Sequence, residues 1–131
     1  MGDLSDKHNK VELLDLDTWR WERRAEYPFE TTIYDARTVH YNQQFYLFGG
    51  KKRSSSRLSR IAAYNPTTDQ WFDKGQLLTA RSSSGVIWDE NGFLIVGGWI
   101  YYVKSEKCLF NGDQLECSYY GPIIDQLCKY H

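Results

Sequence analysis

The chain has no excess of charge of either sign: 16 basic residues stand against 17 acidic ones, a formal net charge of −1. So balanced a surface offers no bulk field for collecting a polyanion, which argues against nucleic acid as a partner. No run of about 18 apolar residues is present, the length a helix needs to cross a bilayer, so no membrane partner is expected. Residues 1–10 are polar and read as a tail rather than a secretory signal. Asp6 stands where a myristoylation motif needs Ser or Thr. Helical periodicity is almost missing as well, with Ile123 to Lys129 the one short candidate.

Chemistry-bearing motifs are equally scarce. The three histidines, His8, His40 and His131, are scattered, and no HExxH, Gly-x-Ser-x-Gly or phosphate-cradling glycine loop occurs. Each histidine is read as a surface or terminal residue, so no catalytic residue, cofactor or metal site is assigned. An N-glycosylation sequon is also missing, because Pro66 follows Asn65 ahead of Thr67.

Aromatic residues, at 16%, and turn-flanked apolar runs are what the sequence does have. Phe45-Tyr-Leu-Phe-Gly49-Gly50 and Phe93-Leu-Ile-Val-Gly97-Gly98 end in glycine doublets 48 positions apart, and Trp21 and Trp71 lie 50 apart. Two separate landmarks with nearly one period are the sign of a repeat array. The runs around Val11 to Leu16, Thr38 to Tyr41 and Phe45 to Phe48 alternate as strands do, and Asn42-Gln-Gln and Asp89-Glu-Asn-Gly92 supply hairpin turns. Around Pro66-Thr-Thr-Asp69, a four-residue loop pairs Tyr64 with Trp71 and puts both rings on one face, where they can fill a gap between neighbouring sheets. Each glycine doublet ends a strand where a side chain would crowd its neighbour or where φ must turn positive.

A strand ending in a glycine pair, then an aromatic and a tryptophan some six residues on, resembles the kelch repeat. The likeness is fullest from Tyr64 to Trp71, and Leu14 to Trp21 keeps the tryptophan with Leu in the tyrosine place. It weakens after Gly98, where Cys108 and Cys117 replace the aromatic anchors. The resemblance implies an all-β fold, a partial β-propeller of about two and a half four-stranded antiparallel blades. The expected divisions are a half blade at 11–23, blades at 32–73 and 82–119 within a segment 11–120, and a C-terminal tail at 121–131. A propeller closes with roughly 4 to 8 blades. The expectation is therefore either a longer protein or several chains assembling through open blade edges.

In an antiparallel meander, the loops near 23–32, 51–59, 74–82 and 99–106 share one end of the blades, where function on a rigid scaffold is expected. Candidate partner-binding residues there are Tyr27, Phe29, Trp99, Tyr101, Tyr102, Arg53 and Arg57, since aromatics and arginine dominate interface energies. The run Lys51 to Arg60 carries five cations and no acid; a solvated loop, an acidic-partner contact and a phosphorylation target all fit it. Arg81 reads as an anion contact or as a strand-capping arginine. Cys108 and Cys117 flank Asn111-Gly-Asp-Gln114, a register that places them opposite one another, leaving a disulfide, two buried thiols or metal ligation open. A disulfide would mean an oxidising compartment, free thiols an intracellular one.

The function that follows is a non-catalytic module binding a protein partner. The alternative is a fragment of a propeller enzyme acting on carbohydrate, its catalytic groups in blades outside this segment.

Overall fold

The computed structural model describes residues 8–98 and 104–121. The candidate helix at 123–129, together with Trp99, Tyr101, Tyr102 and Cys128, lies outside them. Among the described residues, ten strands run in chain order: β1 (Val11–Asp15), β2 (Arg20–Arg24), β3 (Arg37–Tyr41), β4 (Gln44–Phe48), β5 (Arg60–Asn65), β6 (Gln70–Gln76), β7 (Gly85–Asp89), β8 (Gly92–Val96), β9 (Glu106–Asn111) and β10 (Gln114–Tyr119). They form a two-stranded sheet, β1-β2, and two four-stranded sheets ordered β3-β4-β5-β6 and β7-β8-β9-β10. Every ladder is antiparallel between consecutive strands, so each sheet is a meander with local connections.

Side-chain alternation divides each blade into two faces. Tyr46 and Phe48 of β4, with Ile61 and Ala63 of β5, turn one face of the first blade towards Phe93, Ile95, Cys108 and Leu115 of the second, and these residues form one buried cluster. The ring of Phe93 lies 4.9 Å from that of Phe48, 5.1 Å from Tyr46 and 5.2 Å from Tyr41. Strand β5 is buried from Ile61 to Tyr64, because it runs mid-sheet with side chains covered on both faces. The small Ala62 and Ala63 fit there without displacing their neighbours.

The turn between β3 and β4 is tighter than the sequence suggests. Gln44 already belongs to β4, leaving a two-residue turn in which Asn42 and Gln43 both have positive φ, 47° and 64°. That is the mirror-image turn whose twist suits a hairpin. The hairpin of β9 and β10 likewise closes on Gly112-Asp113, because Asn111 and Gln114 pair instead of forming loop. Its register sets Phe110 opposite Leu115 and, as expected, Cys108 opposite Cys117.

Candidate functional site

Three connections, 25–36, 49–59 and 77–84, meet at the same end of the blades and are tied by main-chain hydrogen bonds. Tyr34 and Lys51 exchange N–H donations at 2.9 and 2.8 Å, Gly50 N–H donates to the carbonyl of Arg81 at 2.9 Å, and Arg81 N–H to that of Leu58 at 3.1 Å. Ser83 N–H reaches the carbonyl of Asp35 at 2.9 Å. Loops bonded to one another in this way present side chains from a firm base.

The glycine doublets are built into this junction. A Cβ on Gly49, whose φ is +67°, would stand 2.1 Å from the carbonyl oxygen of Arg81, and one on Gly98 would stand 2.6 Å from that of Ser82. Both reasons expected for the doublets, close approach and positive φ, therefore operate together.

Beneath the loops sits a buried ion pair. The Arg81 guanidinium donates to Glu106 at 2.5 Å and to the carbonyl of Gly97 at 3.1 Å, with both charged side chains sealed from solvent. Glu106 also accepts from the backbone N–H groups of Leu78, at 2.5 Å, and Thr79, at 3.1 Å. Arg81 is thus a strut between the β6–β7 loop and β9, and the reading of it as an anion contact is corrected by its complete burial.

A second lock holds the connection that follows β2. Trp71 donates from its indole N–H to the carbonyl of Ala25 at 2.9 Å, and its ring meets that of Tyr27 edge to face at 5.0 Å. Tyr64 donates its hydroxyl to Asp69 at 2.6 Å and accepts from Arg24 at 3.1 Å, while Asp69 also accepts the Ala25 N–H at 2.8 Å. The bonds from Tyr64 and Ala25 hold the Asp69 carboxyl below its ordinary pKa. Burial pushes the Tyr64 hydroxyl up, and its bond to Asp69 adds to that.

These contacts correct one expectation. The sequence puts Tyr27 among exposed loop aromatics, yet only 3% of it is accessible, since its ring is enclosed by Phe29 and Trp71. Its loop is pulled inwards by Trp71, so Tyr27 is a packing residue. Phe29 is half-buried under the Arg60 guanidinium, 4.6 Å from the ring centre. Arg53 and Arg57 are exposed on a small hairpin in which Lys51 bridges Arg57 and Ser55 N–H donates to the Lys52 carbonyl at 2.9 Å. Nearby, Lys51 pairs with Asp35 at 3.1 Å and Lys52 with Glu30 at 3.6 Å; exposed pairs such as these add little stability. Trp21 occupies the β2 place that Trp71 has in β6, opposite Leu14, but is 66% exposed.

Cys108 and Cys117 are joined as a disulfide. Its position is structural: Phe45 pairs with Tyr64 and Tyr64 with Trp71, while the counterpart Phe93 pairs with Cys108 and Cys108 with Cys117. The disulfide thus stands in the second blade where the Tyr64–Trp71 pair stands in the first. Among the described residues, no group of three His, Cys, Asp or Glu side chains gathers as a metal set.

Meander blades of four antiparallel strands, stacked face to face and preceded by an outer hairpin, define a propeller-type repeat protein. Within that class, the Kelch motif model matches residues 33–73, a stretch that takes in most of the first four-stranded blade. The chain is similar to Kelch-like protein 40 of Xenopus tropicalis, 29% identical over 84 residues, and to Beta-scruin of Limulus polyphemus, 29% identical over 94 residues. Those matches take in 64% and 72% of this chain but 13% and 10% of the relatives' lengths.

Proposed function

We propose that this chain is a non-catalytic protein-interaction module whose loop end, formed by 25–36, 49–59 and 77–84, contacts a protein partner. The carrying observation is the exposed hairpin bearing Arg53 and Arg57 on loops bonded to one another and braced from below by Arg81 and Glu106. Fixed loops lose little freedom on binding, which lowers the entropy cost of association. Half-buried Phe29 lies within the same set of loops, and arginine and aromatic side chains are the usual interface anchors. Kinship to kelch-repeat proteins supports an interaction role.

The test is photo-crosslinking with a benzophenone amino acid at Arg57 or, at the opposite end of the blades, at Asp113. Adducts to a polypeptide partner from position 57 alone support the reading. Adducts from position 113 alone move the surface to the other end. Self-association through the open blade faces, where Ile87 and Leu109 are 61% and 40% accessible, belongs to the same proposal. Sedimentation that gives a concentration-independent monomer mass removes it.

A further inference from the structure

The two sulfurs of the disulfide differ sharply in setting. Cys108 lies in β9, between β8 and β10, with no accessible surface and within the core cluster alongside Phe93 and Ile95. Cys117 lies in β10, the edge strand of its sheet, and is only half-buried. An incoming thiolate must touch the sulfur it attacks, and edge strands open more readily than central ones.

From this asymmetry we propose that Cys117 is a site of S-thiolation by a low-molecular-weight thiol, with Cys108 as its leaving and resolving partner. The thiolate attacks the Cys117 sulfur, a new S–S bond forms there, and the Cys108–Cys117 bond breaks. The electron pair departs on Cys108, and a proton from solvent completes its thiol as the strand opens. This exchange involves no net oxidation. A second thiol attacking the adduct releases the mixed disulfide's thiol as a symmetrical disulfide and leaves both cysteines reduced. In its absence, Cys108 gives up its proton and attacks the Cys117 sulfur of the adduct, the mixed S–S bond breaks, and the low-molecular-weight thiol leaves as its thiolate, restoring the original bond.

The modification has a structural consequence. Strand β10 lies against β6: Gln114 donates to the carbonyl of Asp73 at 2.9 Å, and a Cβ on Gly75 would stand 2.7 Å from the carbonyl oxygen of Leu115. Cys117 follows Leu115 on the same face of β10 and packs against the core. A tripeptide attached there cannot share that space, so it pushes β10 away from β6 and opens the seam between the blades.

The experiment uses the full folded chain and reduced glutathione. N-ethylmaleimide first blocks free thiols and is removed by gel filtration, glutathione is then added, the exchange is quenched with acid, and adducts are located by peptide mass mapping. The glutathionyl group is expected on Cys117 in about tenfold or greater excess over Cys108. Equal adducts, or an excess on Cys108, overturn the assignment, as does maleimide on both cysteines in the first step. Single variants give a second reading. The Cys117 thiol in Cys108→Ser should react with maleimide about tenfold faster than the Cys108 thiol in Cys117→Ser, following their exposure; comparable rates overturn the proposal.

Discussion

At the scale of single residues, Tyr27 carries the clearest signature. Burial raises its hydroxyl pKa from 10.0 to about 12, with the nearby Arg60 charge pulling the other way. A raised folded-state pKa means that the neutral hydroxyl's contribution is fully present below pH 10 and is lost as pH climbs through 12. Stability should therefore fall steeply between pH 10 and 12, and Tyr27→Phe should flatten that fall while changing little at pH 7. Denaturant midpoints measured across this range check it, and equal slopes in the two proteins would remove Tyr27 as the cause. The same burial explains why a tyrosine that looks like a loop aromatic in the sequence is a packing residue in the fold. Whether a loop ring faces water is decided by what lies across from it, here Trp71 from a strand 46 positions from Ala25, and local pattern carries no information about that.

Elements were far more legible than their neighbours. Alternation, glycine doublets and turn residues gave the strands around Thr38 to Phe48 and the pairing of Tyr64 with Trp71, because those features depend on residues close in sequence. The Arg81–Glu106 pair was not legible: its members are 25 positions apart, and nothing in the local pattern of either marks a buried charge. Legibility also fails in fine turn geometry. Asn42-Gln43 forms a turn that requires positive φ at both positions, and a Gln with φ of 64° bears a steric cost that glycine escapes. Gln43→Gly is accordingly expected to stabilise the chain by about 0.5–1 kcal/mol, the strain relieved exceeding the added flexibility of the unfolded state. Thermal denaturation of the two proteins decides it; a lower midpoint for the glycine variant would mean that Gln43 is held by contacts worth more than the strain.

At the scale of the whole molecule, cohesion between the blades depends on an aromatic cluster with Phe93 at its centre. Phe93 is 2% accessible, and its ring lies within 5.8 Å of Tyr41, Tyr46, Phe48 and Phe110. Three of those rings belong to the first blade and one to the second, so the residue joins two sheets that share no backbone ladder among the described residues. Removing it leaves a cavity bordered by both blades, and a buried Phe→Ala change costs about 3–5 kcal/mol, a large part of the stability of a domain this size. The effect should not be confined to one blade. Indole fluorescence reports from both blades, through Trp71 in β6 and Trp88 in β7, while far-ultraviolet circular dichroism reports on all the strands. In the parent chain, the two probes should follow one coincident denaturant transition. In Phe93→Ala, that transition should move to lower denaturant while the probes still coincide if any inter-blade coupling survives, and separate into two steps if Phe93 is the main tie. A variant unchanged in both midpoint and coincidence would show that the cluster does not hold the blades together, leaving the Arg81–Glu106 strut and the packing of β6 against β10 as the connection.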